Sequence, residues 1–278
     1  MNEVSLQLAG VSVEAISIGG LETCLQLPGF DLCLDIGRCP PRAVSKGRVA
    51  FTHAHIDHLG GAVMHCATRS LMGMTPPTYV MPSAITADFE GMLAAWRRLD
   101  RSELRCTVLG LDPGEELRLS RDVLLRPFRA VHVVPCHGYV LVRERKKLRD
   151  EWVGRPEREL RDARLSGVEI SELVEVPEVA FSGDSKIDFL ERCPAAREAS
   201  LLMMEVTFVD DRVSVQEARD KGHVHLDEVI ERAELFGNKA ILFTHLSARY
   251  ATAEAQAILD RRLPPGLRER VTLLSNGR

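Results

Sequence analysis

The sequence predicts a single α/β domain spanning residues 1–278, in which two β-sheets pack together and helices cover the outer faces. Two observations favour this fold class. Short apolar runs separated by turn residues dominate the first half, and strand patterns alternate with helix patterns in the second half. No linker rich in Pro, Gly or Ser divides the chain, and no repeat of fixed period occurs. Strands followed by alternating strands and helices are typical of layered α/β domains.

The elements can be assigned in chain order. In the first half, β-branched and apolar runs bounded by turn residues predict strands at 11–13, 23–27, 31–35 and 49–52. A helix is predicted from Ser83 to Leu99, because apolar residues recur there at helical spacing, and Ser83 is the expected N-cap. Later apolar runs predict strands at 106–109, 117–119, 123–129, 139–142, 179–182, 201–205 and 240–244, and helices at 226–235 and 253–263.

Composition excludes several classes of protein. With 45% apolar and 27% charged residues, the chain has the balance of a folded globular protein. No apolar run reaches the roughly 18 residues that a membrane-spanning helix needs, and the N-terminal residues lack the pattern of a secretion signal. We therefore expect a cytoplasmic protein without a membrane partner. The 7 cysteines form no Cys-x-x-Cys pair, which indicates reduced thiols and no cysteine zinc site.

The segment 143–164 stands out by charge. It carries nine basic and six acidic residues, although the net charge of the whole chain is −4. Two interpretations remain open: a solvated helical surface with ion pairs four residues apart, or a projecting basic arm that contacts phosphates. Arg145, Lys146 and Lys147 favour the arm, because few acidic residues lie beside them. We take these three as candidate substrate-binding residues.

The strongest chemical signal is the sequence His53-Ala54-His55-Ile56-Asp57-His58, which directly follows an apolar strand. Side chains two residues apart on an extended backbone point the same way, so His53 and His55 can share a ligand. A turn after His55 would bring Asp57 and His58 back to the same place. Four such side chains within six residues predict a metal site rather than a chance cluster of surface histidines.

One or two metal ions need further ligands, and each of three other apolar strands is followed by one. These are His132, Asp184 and His245. Asp184 is the natural bridge, since a carboxylate can share its oxygens between two cations. Together with the first motif they make five histidines and two aspartates, enough for two divalent metals. We expect Asp35 to orient a metal-binding loop, and His65 and His137 to be structural.

This constellation resembles the metallo-β-lactamase superfamily. The resemblance implies an αββα sandwich of two mixed sheets with outer helices, holding two Zn²⁺ ions per subunit at its edge, with Mn²⁺ as the alternative metal. Fold alone does not give the substrate, because the superfamily includes lactamases, thioesterases, lactonases and nucleases.

A finer resemblance is to the short, plant-type form of ribonuclease Z, the endonuclease that removes 3′ trailers from precursor tRNA. It covers nearly the whole chain, and the blocks that carry it are 67–69, 75–78, 165–170, 177–181, 204–208, 222–226, 238–240 and 244–250. The chain departs from the family pattern at Ser185, Met204 and His225, and it lacks the Gly-Pro-rich substrate arm of the other bacterial type. The resemblance implies precursor tRNA as the partner and a homodimer in which one subunit's arm reaches RNA at the other's site.

The catalytic hypothesis assigns a role to three side chains and an RNA contact to one. Asp57 would orient the attacking hydroxide or accept its proton, and His223 would donate a proton to the leaving 3′ oxygen while Glu205 holds its ring. Arg249 lies in a block that resembles the family and is a further candidate substrate-binding residue. The alternatives are a structural hydrogen bond between Glu205 and His223, a hydrolase of a small phosphodiester, lactone or thioester, and a non-catalytic RNA-binding protein.

Overall fold

The computed structural model describes residues 3–274, which form two β-sheets of seven strands each. The first sheet follows the chain order, and its last four strands are parallel to one another. It is built from β1 (Val4–Leu8), β2 (Val11–Ile18), β3 (Glu22–Leu27), β4 (Leu32–Leu34), β5 (Arg48–Ala50), β6 (Thr78–Met81) and β7 (Thr107–Gly110).

The second sheet has the order β14-β13-β12-β11-β10-β9-β8, with parallel pairing from β11 to β14 and antiparallel pairing elsewhere. Its strands are β8 (Leu117–Arg118), β9 (Val123–Arg129), β10 (His137–Leu148), β11 (Ser171–Phe181), β12 (Leu201–Glu205), β13 (Ala240–Thr244) and β14 (Val271–Leu273).

The helices lie in the connections between these strands. They are α1 (Ile56–Leu59), α2 (Ala62–Leu71), α3 (Ser83–Asp100), α4 (Glu157–Leu165), α5 (Phe189–Arg192), α6 (Pro194–Glu198), α7 (Val215–Asp220), α8 (Leu226–Glu231), α9 (Thr252–Arg262) and α10 (Pro265–Arg268). Within the described part of the chain, no helix is both long and apolar enough to cross a membrane.

The core is layered in the way that strand alternation dictates. On β12, Leu201 and Met203 belong to the apolar cluster between the sheets, whereas Leu202 and Met204 belong to the cluster beneath the helices of the second half. A third cluster packs α2 and α3 against the first sheet, where Phe51 lies fully buried. The predicted sandwich of two mixed sheets with outer helices is confirmed.

The prediction of the N-cap was wrong, and three predicted elements have other bounds in the structure. Ser83 does not cap α3; the N-cap is Pro82, and the Ser83 amide donates to Asp112 Oδ1 at 3.0 Å instead. The helix predicted at 226–235 ends at Glu231 and continues only as a short 3₁₀ turn. The strands predicted at 139–142 and 179–182 are parts of the much longer pair β10 and β11, because charged residues continue the ladder beyond the core.

Candidate metal centre

The motif of histidines and aspartate lies where β5 ends. His53 and His55 follow the strand, His55 in extended backbone, and α1 begins at Ile56, which turns Asp57 and His58 back toward them. The turn needs glycine at Gly37, since a Cβ there would lie 2.2 Å from the carbonyl oxygen of Asp57. The parallel strands of both sheets end at this same edge, so ligands that follow different strands meet there.

One group of potential ligands combines His53, His55, His132 and Asp184, whose ligand atoms all lie within 4.8 Å of one another. His132 Nε2 is 3.4 Å from His55 Nδ1, and His53 Nε2 is 3.8 Å from Asp184 Oδ2. Two ligands at about 2.1 Å from a tetrahedral zinc ion are about 3.4 Å apart. These separations therefore suit a shared cation.

A second group combines Asp57, His58 and His245. The Nε2 atoms of His58 and His245 lie 3.6 and 3.5 Å from Asp57 Oδ2, and 3.4 and 3.3 Å from Asp184 Oδ2. Asp184 Oδ2 thus approaches ligand atoms of both groups. The structure brings all seven predicted ligands together, with Asp184 between the two groups.

Unpaired ring nitrogens test whether this centre fits a metal. The Nε2 atoms of His53, His58 and His245 are buried and have no hydrogen-bond partner among residues 3–274. Burial of a polar nitrogen without a partner is costly, and a metal ion removes that cost. Imidazole and carboxylate ligands suit Zn²⁺ and related divalent metals. The residues fit a divalent metal centre.

In four of the five ligand histidines, the other ring nitrogen is held by the protein. His53 Nδ1 lies 2.9 Å from Thr52 Oγ1, and His58 Nδ1 lies 2.8 Å from the buried carboxylate of Asp35. His245 Nδ1 lies 3.0 Å from Thr207 Oγ1, and His132 Nδ1 lies 2.9 Å from the carbonyl oxygen of Gly222. These contacts fix each ring with Nε2 directed into the centre.

The carboxylates at the centre are held in the charged form. Burial alone would raise the pKa of Asp57, but His245 and His58 outweigh it and hold that pKa below its ordinary value. Burial also opposes ionisation of Asp184, and the surrounding histidines, His245 first, hold its pKa well below the usual range. Ionised carboxylates are the form that binds cations.

The buried Glu205 and the partly exposed His223 form a pair beside the second group, and a ring nitrogen of His223 lies within 4.8 Å of ligand atoms of Asp184 and His245. His223 Nδ1 lies 3.0 Å from Glu205 Oε1, and its ring stacks on that of His245 at 5.3 Å between centroids. Glu205 also accepts hydrogen bonds from the amides of Ser185 and Val224 and from Thr207. Burial would lower the pKa of His223, but Glu205 outweighs it and raises this pKa to about 9.

The predicted RNA contacts lie in two places. Arg249 is exposed near the centre, 5.5 Å from the ring of Phe208, while Arg145, Lys146 and Lys147 lie toward the far end of β10. Arg145 pairs with Glu178 at 2.5 Å and Lys147 with Asp150 at 3.4 Å. Two of the three bases are thus balanced locally, contrary to expectation, because β11 and the turn after β10 supply acidic partners.

Sequence reasoning missed several residues of the centre. Thr52 and Thr207 hold ligand rings, although nothing in their local sequence marks a hydroxyl for that task. Lys221 is exposed and lies 5.5 Å from Phe208 on the chain segment that precedes His223, and its place next to Gly222-His223 was the available signal. Asp35 orients His58 as expected. His65 lies away from the centre, and its Nδ1 is 3.0 Å from Tyr79 Oη.

Comparisons with known proteins agree with this fold. Residues 37–246 match the family model described as a beta-lactamase superfamily domain. The metallo-beta-lactamase fold protein YhfI of Bacillus subtilis superposes with a TM-score of 0.61 over 94% of this chain and 95% of its own, at 16% identity. The short form of human tRNase Z does so with a TM-score of 0.57 over 96% and 90%, at 19% identity. The fold and the site define this chain as a member of the β-lactamase superfamily.

Relatives in sequence show to which family within the superfamily the chain belongs. The tRNase Z TRZ1 of Arabidopsis thaliana is 43% identical over 275 residues, which cover 98% of both chains. The chloroplastic tRNase Z TRZ2 of the same plant is 37% identical over 91% of this chain and 72% of its own. Within the superfamily, this chain belongs to the tRNase Z family.

Proposed function

We propose that this protein is a metal-dependent endoribonuclease that hydrolyses one phosphodiester bond of precursor tRNA, releases the 3′ trailer and leaves a 3′-hydroxyl on the tRNA. The observation that carries the proposal is the convergence of seven ligand side chains beside the Glu205–His223 pair, in a chain 43% identical to a tRNase Z over nearly its full length. A lactonase or thioesterase would not need the exposed cations Lys221 and Arg249 at the same rim.

The proposed cofactor is a pair of Zn²⁺ ions per subunit, with Mn²⁺ as the alternative. The first group would hold one ion and the second group the other, with Asp184 shared. Divalent cations bound there supply charge that stabilises the phosphate oxygens, and they bring the pKa of water toward about 7.

Hydrolysis forms a bond from a water oxygen to phosphorus and breaks the bond from phosphorus to the tRNA 3′ oxygen. The Asp57 carboxylate is held in place, because its Oδ2 accepts a hydrogen bond from the Gly20 amide at 2.9 Å. It orients the attacking water or accepts its proton. The leaving oxygen needs a proton, and His223 supplies it from Nε2, since Nδ1 is engaged with Glu205.

His223 is suited to this role by exposure as well as by charge. Its side chain is 16% exposed, so a bound phosphodiester can reach it, whereas that of its partner Glu205 is 1% exposed. Lys221 and Arg249 each lie 5.5 Å from the ring of Phe208, which lies 6.1 Å from that of His223, and neither forms a salt bridge within the described residues. Cations there attract the phosphates of the tRNA acceptor end.

The basic arm, 143–164, extends away from this centre. The β10 strand begins beside it, where the His137 amide donates to the Thr52 carbonyl at 3.0 Å. At about 3.3 Å per residue, Arg145 lies about 26 Å farther along the strand. Arg145, Lys146 and Lys147 therefore lie far along the strand from the scissile bond of their own subunit. A homodimer, in which the arm serves tRNA bound at the partner's centre, remains our proposal, and so does a cytoplasmic location.

The direct test is incubation of the purified protein with a trailer-bearing precursor tRNA, with the cut site mapped at nucleotide resolution. We expect one cut that leaves a 3′-hydroxyl, lost on chelation and restored by Zn²⁺ or Mn²⁺. A phosphodiester such as bis-p-nitrophenyl phosphate serves as the comparison substrate. Hydrolysis of that diester without cleavage of precursor tRNA would contradict the proposal and favour a small-molecule hydrolase.

A further inference from the structure

His225 lies two residues after His223 and takes no part in the chemistry described so far. Its side chain is only 1% exposed, so the ring is closed off from a bound RNA. Both ring nitrogens are nevertheless occupied: Nδ1 lies 3.1 Å from the amide nitrogen of Asp227, and Nε2 lies 3.1 Å from the carbonyl oxygen of Asp210. The ring therefore joins two segments of the chain.

The first of these contacts caps a helix. His225 is the N-cap of α8, and the amide of Asp227 donates to its Nδ1. Because an amide can only donate, Nδ1 carries no proton, and the single proton of the neutral ring is on Nε2. Nε2–H then donates to the Asp210 carbonyl. Serine, threonine, asparagine and aspartate are the usual N-caps, but their side chains are too short to reach a second partner at the distance of Nε2.

The second contact ties the segment that carries Glu205 to the segment that carries His223. Backbone hydrogen bonds of 3.4 and 2.8 Å pair Phe208 with residues 224–226. The bond from His225 Nε2 adds a side-chain link two residues beyond Phe208. The separation of the two segments sets the position of the His223 ring, since Glu205 holds that ring from the opposite segment.

The Asp210 end of this link is itself held in place, because its Oδ1 accepts a hydrogen bond from Tyr250 Oη at 3.0 Å. Arg262 forms a second, outer link between the same parts of the chain. It donates to the Val209 carbonyl at 3.1 Å and pairs with Asp227 in the first turn of α8. The helix thus stays attached when the inner link is removed, so variants that lack the inner link can still fold.

We propose that His225 is a positioning residue, which through Asp210 holds the segment of His223 at the distance from Glu205 that directs His223 Nε2 at the leaving 3′ oxygen. The inference rests on the proposed endonuclease function and on His223 as its acid. It differs from a purely structural role, because loss of a cap lowers stability alone, whereas loss of the link misplaces the proton donor. Cleavage that needs a proton on the leaving group should then suffer, and cleavage that needs none should not.

Two substitutions separate the cap from the link. His225→Asn places an amide oxygen where Nδ1 was, which keeps the cap, but none of its atoms reaches the position of Nε2. His225→Gln places its amide near the position of Nε2, which keeps a donor for the Asp210 carbonyl, but it leaves the Asp227 amide without an acceptor at the position of Nδ1. Ser214→Ala is the matched control, because Ser214 caps α7, the helix before His223, in the same kind of capping box.

Each protein is assayed for kcat and KM on two forms of one precursor tRNA. One form is natural, and in the other sulfur replaces the bridging 3′ oxygen at the scissile bond. An alkoxide leaving group needs a proton, whereas a thiolate leaves without one. His223→Ala shows how far sulfur restores cleavage when the acid is absent. Elemental analysis and denaturant unfolding measure metal content and stability.

A misplacement of about 1 Å can cost about 100-fold in rate. We therefore expect kcat of His225→Asn on the natural precursor to fall by about 10- to 100-fold, with KM and metal content unchanged. On the sulfur form, kcat of this variant should match that of wild type. His225→Gln should regain most of the lost kcat on the natural precursor although its cap is lost. Ser214→Ala should lose stability and keep kcat on both forms.

Three results would overturn the inference. Wild-type kcat for His225→Asn on the natural precursor would show that the link is not needed. A loss that persists on the sulfur form, or an equal loss in Ser214→Ala, would show a general distortion of the site. Failure of sulfur to restore cleavage by His223→Ala would remove the acid that His225 is proposed to position. Absence of any cleavage by wild type would instead reject the proposed function, and the inference with it.

Discussion

Asp35 controls which nitrogen of His58 faces the metal centre. The Asp35 carboxylate is fully buried and accepts three hydrogen bonds: from the Thr52 amide at 2.7 Å, from Thr52 Oγ1 at 2.8 Å and from His58 Nδ1 at 2.8 Å. An acceptor at this place keeps the His58 proton on Nδ1, so Nε2 retains its lone pair for a metal. Asp35→Asn should therefore impair metal binding even though residue 35 is not a ligand.

The size of the effect follows from these contacts. If the amide introduced by Asp35→Asn keeps its oxygen toward the Thr52 amide, its NH₂ group meets both the Thr52 hydroxyl and His58 Nδ1–H, and the donors oppose one another. His58 then binds its proton at Nε2 or loses its partner. Loss of such a partner costs about 10- to 100-fold in metal affinity. Loss of a hydrogen bond to a charged group costs about 1.5–3 kcal/mol of folding stability.

The assay is competition with a chromophoric zinc chelator, which reports both binding steps, together with denaturant unfolding of each variant. Asp31→Asn is the matched control, because that carboxylate also accepts one amide, from Gly47 at 3.2 Å, but lies away from the centre. We expect one of the two binding steps to weaken in Asp35→Asn and neither in Asp31→Asn. Unchanged affinity at both steps in a folded Asp35→Asn protein would refute the proposed control of His58.

Three further predictions concern catalysis, RNA binding and pH. His223→Ala should lower cleavage by about 10²- to 10⁴-fold with metal content unchanged, as elemental analysis can check; loss of metal would make His223 a ligand instead. Changing Arg145, Lys146 and Lys147 to Ala in one variant should weaken the salt dependence of tRNA affinity. An unchanged salt dependence would show that the arm does not bind tRNA. Burial, with Arg69 adding to it, lowers the pKa of His65 to about 4. The folded state therefore favours neutral His65. The contribution of this residue to the free energy of unfolding is fully present above about pH 6.5 and is lost as the pH falls toward 4. Denaturant unfolding at several pH values gives the slope of the free energy of unfolding against pH. Between these limits, the slope for His65→Gln should be smaller than that for wild type by up to about 1.4 kcal/mol per pH unit. Equal slopes for the two proteins would contradict this prediction.

The metal ligands could be predicted from the sequence, because each of them follows an apolar run that the sequence marks as a strand. His245 could be placed beside His58 for this reason, although many residues separate them in the chain. The sandwich followed from the same runs, since they alternate with helix patterns.

Other features depend on partners that are distant in sequence. The N-cap of α3 is Pro82 rather than Ser83, and the amide of Ser83 donates to Asp112, which lies on another loop. The local sequence around Ser83 does not show this contact. The extension of β10 past Val142 is a cross-strand effect, in which Arg143 and Arg145 both pair with Glu178 of β11. The left-handed backbone of Asp35 and His245, at φ of 59° and 57°, also arises from tertiary contacts. Strain of this kind concentrates at functional sites.

The central claim is that seven side chains hold two divalent cations around Asp184. Zinc titration of the metal-free protein, followed by elemental analysis after dialysis, measures this directly. We predict two equivalents per chain for wild type, and one for His245→Ala, which leaves the group of His53, His55 and His132 complete. Binding of no zinc by the folded wild-type protein, or two equivalents retained by His245→Ala, would contradict the account.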